Sequence, residues 1–245
     1  MISLNQNPNL TKPPLEIATS GIGAIFNYFS MLANKRTVDN YEAKLIIVGE
    51  GDVGKTCIKD RIKHGIFNSQ TSTTHGIEID HWITKINEID NFRVNIWDFG
   101  GQEIYHSTHQ YFLTRRSLYL FVWNARTDDD IHVFNKWLNT INSLSNNSPI
   151  IVVQNKIDER FKNINKELLQ SQFPNVIDFH DVSSMTGVGF DNLIYSIKNN
   201  LLKLEHIGSK LPEIWVKIRS RLESLNNNYL TYDDYYWLCQ KHELT

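Results

Sequence analysis

Gly49-Glu50-Gly51-Asp52-Val53-Gly54-Lys55-Thr56 sets a glycine on either side of four residues and follows them with a lysine and a threonine. Glycines let the backbone turn sharply and bring N–H groups against an anion. The lysine supplies a charge that reaches outer phosphates, and the threonine hydroxyl is a hard oxygen suited to Mg²⁺. A second group, Asn155-Lys156-Ile157-Asp158, has the pattern N-K-x-D. Asp158 there can accept hydrogen bonds from both the N1–H and the 2-amino group of guanine. Adenine offers neither donor, and a carboxylate left unpaired in a binding site discriminates by ~10⁴ in favourable cases. Asn155 would orient its loop and approach the base edge, and the stem of Lys156 would lie over the ring. An ordinary strand-end turn uses Asn and Asp in the same way, so the motif draws its weight from its order behind the glycine loop. A third group, Asp98-Phe99-Gly100-Gly101-Gln102, lies between them. Asp98 can hold Mg²⁺ through water, Gly101 allows a backbone N–H to approach a γ-phosphate, and Gln102 can orient an attacking water.

Each group follows a short apolar run. Lys44-Leu45-Ile46-Ile47-Val48 precedes the glycine loop, Phe92-Arg93-Val94-Asn95-Ile96-Trp97 precedes Asp98, and Ile150-Ile151-Val152-Val153-Gln154 precedes Asn155. Such runs read as buried strands. The residues after Gly54 read as a helix whose positive end faces the phosphate position. Strands are expected at 44–48, 77–85, 92–98, 117–123, 150–154 and 177–182, and helices at 55–64, 103–115, 131–145, 164–172 and 189–204. Alternating elements of this kind build a mostly parallel, helix-covered sheet. The run 77–85 should pair antiparallel with 92–98 through a short turn over Asn87 to Asn91.

In this order the three groups resemble the Ras-like GTPase domain, over roughly residues 42 to 204. Thr74-His75-Gly76-Ile77 and Asp98 through Phe112, with Ser107-Thr108-His109 and Phe112, are similar to the Roc domain of Roco proteins, large multidomain GTPases that include the leucine-rich-repeat kinases. The resemblance implies an α/β fold: a P-loop NTPase of Ras-like G-domain type, with a mostly parallel six-stranded sheet, helices on both faces, and helical N- and C-terminal extensions. It implies GTP as substrate, GDP as product and Mg²⁺ as cofactor, with the loop from Gly49 to Cys57 around the phosphates. Thr56, Thr74 and Asp98 would hold the metal, with Thr73 the competing choice for Thr74. Lys55, Thr74 and Gln102 would act in hydrolysis. Val182-Ser183-Ser184-Met185 resembles the family's S-A-K base loop, with Met185 in place of the usual lysine. Ser183, Ser184 and Met185 would line the base, with the Ser184 N–H meeting the guanine oxygen. Regulation by homodimerisation through Roc and COR is implied, with catalytic parts offered across the dimer. Arg126 is the candidate for an arginine supplied in trans, Arg115 and Arg116 are its rivals, and simple surface solvation is the other reading of all three.

Leu4-Asn5-Gln6-Asn7-Pro8 resembles the close of a leucine-rich repeat, and residues 210 to 245 resemble the start of a COR domain. The expected divisions are therefore a linker and helix over 1–41, a Roc domain over 42–204 and a truncated COR start over 205–245. Leu15 through Leu32 recur near helical spacing, so one amphipathic helix is expected from Pro13 to about Ala33. A helix from Pro212 to Leu225 and a second from Thr231 should form a pair without a core of its own.

The formal charge of −2 argues against nucleic-acid binding through a basic footprint. With 41% hydrophobic residues the chain is expected to be globular. Cys57 and Cys239 suggest no disulfide framework, no apolar stretch is long enough to span a bilayer, and neither a signal peptide nor a lipidation signal is visible, so a cytoplasmic location is expected. His106 and His109 lack a third ligand nearby and read as polar contacts rather than a zinc site. Asp128-Asp129-Asp130 reads as favourable charge at a helix start. Two function classes stand: a GTP-hydrolysing switch, and a nucleotide-dependent assembly module whose hydrolysis is incidental.

Overall fold

A computed structural model describes residues 12–68, 74, 76–100, 113–126, 130–225 and 229–241. In chain order the elements are α1 (Leu15–Thr19), α2 (Ile22–Asn34), β1 (Thr37–Asp39), β2 (Glu42–Val48), α3 (Lys55–His64), β3 (Ile77–Ile86), β4 (Ile89–Phe99) and β5 (Ser117–Trp123). They continue with α4 (Asp130–Ser145), β6 (Ile150–Gln154), α5 (Lys166–Gln172), β7 (Val176–Asp181), α6 (Phe190–Leu201), β8 (Lys210–Pro212), α7 (Glu213–Glu223) and α8 (Tyr232–Lys241). They group into two compact units, Tyr41–Ile207 and the flanks Met1–Asn40 with Gly208–Thr245.

The first unit is a six-stranded sheet in the order β3-β4-β2-β5-β6-β7. β3 is antiparallel to β4, and every other pairing is parallel. The strands at its centre alternate between two apolar layers. Leu45, Ile47, Leu118, Leu120, Val122, Ile151 and Val153 pack with Ile58 and Ile62 of α3 and with Leu193, Ile197 and Leu201 of α6. Their neighbours Ile46, Val48, Tyr119, Phe121, Trp123, Ile150 and Val152 pack with Phe134, Trp137, Leu138 and Ile141 of α4. Both faces are covered, which is why these strands read as unbroken apolar runs rather than as an alternation. This is the Ras-like α/β fold.

One local expectation is corrected here, and a second lies mostly outside the described residues. The β3–β4 turn is only Asn87-Glu88, because Asn87 takes a left-handed conformation (φ 51°) and closes the hairpin in two residues. Of the helix expected at 103–115, residues 103–112 lie outside the described set, and 113–115 are not helical.

The flanking unit differs more from expectation. The single helix expected up to Ala33 is two, α1 and α2, parted at Gly21 with φ 98°, a conformation a right-handed helix cannot carry through. An unanticipated ribbon pairs β1 with β8 antiparallel, Val38 opposite Leu211. Next to it the Arg36 carbonyl accepts from the Glu213 N–H at 2.9 Å. The helix pair α7 and α8 does have a small core, in which Ile218, Leu238 and Cys239 are buried with Ile214 and Leu222 against them. Thr231 caps α8 through Asp234, whose N–H donates to the threonine hydroxyl at 3.2 Å. Tyr229, Tyr232 and Trp237 remain exposed. No helix among the described residues is long and apolar enough to cross a membrane.

Candidate functional site

β4 ends, and the loops after β2, β5, β6 and β7 begin, at one edge of the sheet, the carboxyl ends of its parallel strands. β2 lies between β4 and β5, so the chain leaves β2 towards the β4 side and leaves β5 towards β6, and a crevice forms between them, where open α/β sheets bind ligands. The glycine loop fills this crevice. Gly54, with φ 88°, turns the chain into α3, and no side chain caps the helix. Its first N–H groups therefore point into the crevice without helical acceptors. A Cβ at Gly54 would stand 2.4 Å from Asn155 Nδ2, so only glycine allows this approach. Lys55 is buried, and its ammonium donates to the carbonyls of Gly49 (3.0 Å) and Glu50 (2.8 Å). Burial lowers its pKa, opposed by the charges of Asp98 and Glu50. Glu50 is held from α4 by Trp137 Nε1 at 3.0 Å and Lys136 Nζ at 3.2 Å.

Beside the loop, β4 carries Asp98 to the same edge, opposite Ile47 of β2. The Thr56 hydroxyl donates to Asp98 Oδ2 at 2.7 Å, and the Thr56 and Thr74 hydroxyls stand 3.0 Å apart. Asp98 has no solvent exposure, and its Oδ1 has no hydrogen-bond donor among the described residues. Burial raises its pKa, with Thr56 and Lys55 pulling the other way. A buried carboxylate oxygen without a donor is costly. Two hydroxyls and that oxygen make an all-oxygen donor set, which fits a hard divalent cation such as Mg²⁺.

The residues expected to read a base gather across the crevice. Asn155 is buried; its Nδ2 donates to the Val53 carbonyl at 2.9 Å, and its Oδ1 accepts from the Ser184 N–H at 3.1 Å and the Ser184 hydroxyl at 3.0 Å. Its amide thus joins three loops. The same bond takes up the Ser184 N–H, the donor expected to meet a guanine oxygen. In the loop after β7 the Ser183, Thr186 and Gly187 N–H groups also have acceptors, Val188 O, Ser183 Oγ and Ser183 O. The Met185 N–H has none among the described residues. Lys156 holds a left-handed conformation (φ 60°) and lies 3.4 Å from Asp52. Asp158 is exposed, with no protein partner among the described residues.

Arg126 follows β5 and bridges two loops. Its Nη1 lies 2.6 Å from Asp52 Oδ2 of the glycine loop, and its Nη2 lies 2.7 Å from Glu159 Oε2, next to Asp158. These carboxylates, Glu159 first, raise its pKa further. Its guanidinium is engaged within its own chain. Arg115 and Arg116 sit before the opposite end of β5, roughly 20 Å away by strand rise.

Residues 44–158 match the family model described as "Ras of Complex, Roc, domain of DAPkinase". The chain carries a Roc domain. A probable serine/threonine-protein kinase, pats1, of Dictyostelium discoideum is 29% identical to it over 237 residues, 86% of this chain and 7% of that protein. A Roc-COR-CHAT protease of Runella zeae is 30% identical over 228 residues, 84% of this chain and 25% of that protein. The chain thus spans a quarter or less of each of these curated relatives. Among solved structures, the RocCORdC part of Methanosarcina barkeri Roco2, bound to GDP, matches with a TM-score of 0.74 and 34% identity, covering 85% of this chain and 64% of that one.

Of the residues expected in the Roc site, Gly49 to Cys57, Thr74, Asp98, Asn155, Lys156, Asp158 and Ser183 to Met185 lie in loops or at element ends on this one edge. Gly101 and Gln102 lie outside the described residues, as do Thr73, His75, His106, His109, Asp128, Asp129 and the segment 4–8. Glu159 and Arg61 escaped the sequence reading. Glu159 adjoins the N-K-x-D motif without belonging to it, and Arg61 sits mid-helix where a surface arginine is ordinary.

Proposed function

We propose that this Roc domain binds guanine nucleotide with Mg²⁺ and hydrolyses GTP to GDP and phosphate as a molecular switch. The convergence of the Thr56 and Thr74 hydroxyls on buried Asp98, whose Oδ1 has no donor among the described residues, carries this reading. In the proposal the amides of residues 49–57 cradle the phosphates. Lys55 exchanges its loop carbonyls for phosphate oxygens and offsets their charge. Thr56, Thr74 and Asp98 hold Mg²⁺, which would neutralise charge on the transferring phosphoryl group. Asp158 takes the N1–H and 2-amino group of guanine, Lys156 covers the ring, and Gln102 orients the attacking water. Thr74 joins switch to metal, so loss of the γ-phosphate loosens the segment before β3.

We further assign residues 1–41 to a linker after a leucine-rich-repeat region, 42–204 to the Roc domain and 205–245 to the start of COR. The switch would be regulated by homodimerisation in a cytoplasmic Roco protein. The independent core of α7 and α8 favours, as a second reading, an assembly module whose output is oligomer state. Binding of mant-GDP and mant-ADP with and without Mg²⁺ tests the site. GDP should bind and ADP bind at least ~10³-fold more weakly, while equal binding overturns the guanine assignment. Phosphate release measured against chain concentration separates switch from assembly module. A rate that rises with concentration supports regulation by dimerisation.

A further inference from the structure

Arg61 lies on α3, the helix that starts at the phosphate loop, yet its guanidinium reaches the base loop. Nε donates to the Ser184 carbonyl at 2.8 Å, Nη2 to the Met185 carbonyl at 3.0 Å and Nη1 to the Gly65 carbonyl at 3.2 Å. The group also lies over the Phe190 ring, 5.7 Å from its centre. Gly187 makes room for it, since a Cβ there would stand 2.9 Å from Nη1. A planar fork of donors satisfying three carbonyls at once is something arginine does and lysine cannot.

The Ser184 carbonyl and the Met185 N–H belong to one peptide unit. That unit is planar and trans, so its C=O and N–H point in opposite directions. Drawing the carbonyl onto Arg61 turns the N–H away from α3. This is the N–H in residues 183–187 that lacks a protein acceptor among the described residues, its neighbours being committed to Val188, Asn155 and Ser183.

We propose that Arg61 is a specificity-positioning residue that, by gripping the Ser184 carbonyl, aims the Met185 N–H at the 6-oxygen of guanine. This rests on the guanine-binding reading above. An N–H aimed at that position welcomes an oxo group and opposes the 6-amino group of adenine, which also donates. Asn155 fixes one side of the loop and Arg61 the other, so the orientation does not need the side chain of Met185, which is 56% exposed.

The test uses GDP and 6-thioguanosine diphosphate on the full chain. The thio analogue keeps the N1–H and 2-amino donors for Asp158 and replaces only the 6-oxygen, with the weaker acceptor sulfur. The unaltered chain should prefer GDP by about tenfold, the scale of one well-placed hydrogen bond. Arg61→Ala should reduce that preference towards one by weakening GDP alone. Arg61→Lys should fall between, and Gly187→Ala, which crowds Nη1, should act like Arg61→Ala if the alanine variant fails to fold. Equal losses for both nucleotides would mean that Arg61 only stabilises the fold, and the proposal fails. It fails also if the unaltered chain shows no preference between them. If the unaltered chain binds neither nucleotide, the guanine-binding reading itself is wrong.

Discussion

The Asn155 side-chain amide donates to the Val53 carbonyl at 2.9 Å, joining the loop expected to read the base to the loop expected to hold the phosphates. Its carbonyl oxygen is shared by the Ser184 N–H and hydroxyl. One buried side chain thus sets the spacing between three loops that lie far apart in sequence.

Removing it should be severe. Asn155→Ala leaves the Val53 carbonyl and two Ser184 donors unsatisfied in a buried place, at ~1–3 kcal/mol for each such group. Nucleotide affinity should fall by roughly 10- to 100-fold, and the melting temperature should drop. Fluorescence titration with mant-GDP, alongside thermal melts, measures both; unchanged affinity would contradict the joint described here.

Gly54→Ala should damage binding while sparing the sheet. The new methyl meets Asn155 Nδ2 at 2.4 Å, and φ of 88° is unfavourable for alanine. A loss of affinity of about tenfold or more is expected, with the far-UV circular dichroism of the parent retained.

Arg126→Ala should act on nucleotide release. The variant cuts the bridge from Asp52 to Glu159 across the mouth of the crevice. Exposed ion pairs contribute little, ~0–1 kcal/mol, so release of mant-GDP should quicken by only about two- to fivefold. The difference should shrink at high salt, where exposed charges are screened. The dependence of single-turnover hydrolysis on chain concentration should not change. Loss of that dependence would restore Arg126 as an arginine acting across a dimer.

Lys44 sets a pH dependence away from the site. Burial lowers its pKa to about 8, although its ammonium lies 3.6 Å from the centre of the Trp97 ring and 3.3 Å from the Thr114 hydroxyl. An unfolded chain holds this proton up to about pH 10.4. Between pH 8 and that value the unfolded state binds more protons, so the contribution of Lys44 to stability rises with pH through the window and falls as pH drops through 8. Lys44→Met should be more stable than the parent at pH 7, and its advantage should shrink from pH 8 to 10. Paired urea melts across that range read the difference.

Much of the sheet was legible because its strands announce themselves chemically. Ile46-Ile47-Val48 and Ile150 to Val153 are too apolar and too β-branched to lie anywhere but in a covered sheet, and each ends at a motif. β1 and β8 were not legible. Three residues carry no periodicity, and Val38 meets Leu211 only because the folded chain brings its two flanks side by side. The break at Gly21 left a trace in the sequence, but whether a glycine in a helical pattern is tolerated or turns left-handed depends on its surroundings, and Gly23 two residues on stays helical.

The motifs between Gly49 and Asp158 specify by themselves which atoms a ligand would meet, since a lysine, a hydroxyl and a carboxylate carry their chemistry wherever they are placed. Folding settles which of those atoms remain available. Ser184 and Met185 have the same backbone donor, and nothing in their order says which one Asn155 will consume. Arg126 has the same charge in any setting, and only the approach of Asp52 and Glu159 engages it within its own chain. Hydrogen bonds saturate and directions are set by neighbours distant in sequence, so the donors left for a ligand are a property of the assembled loops.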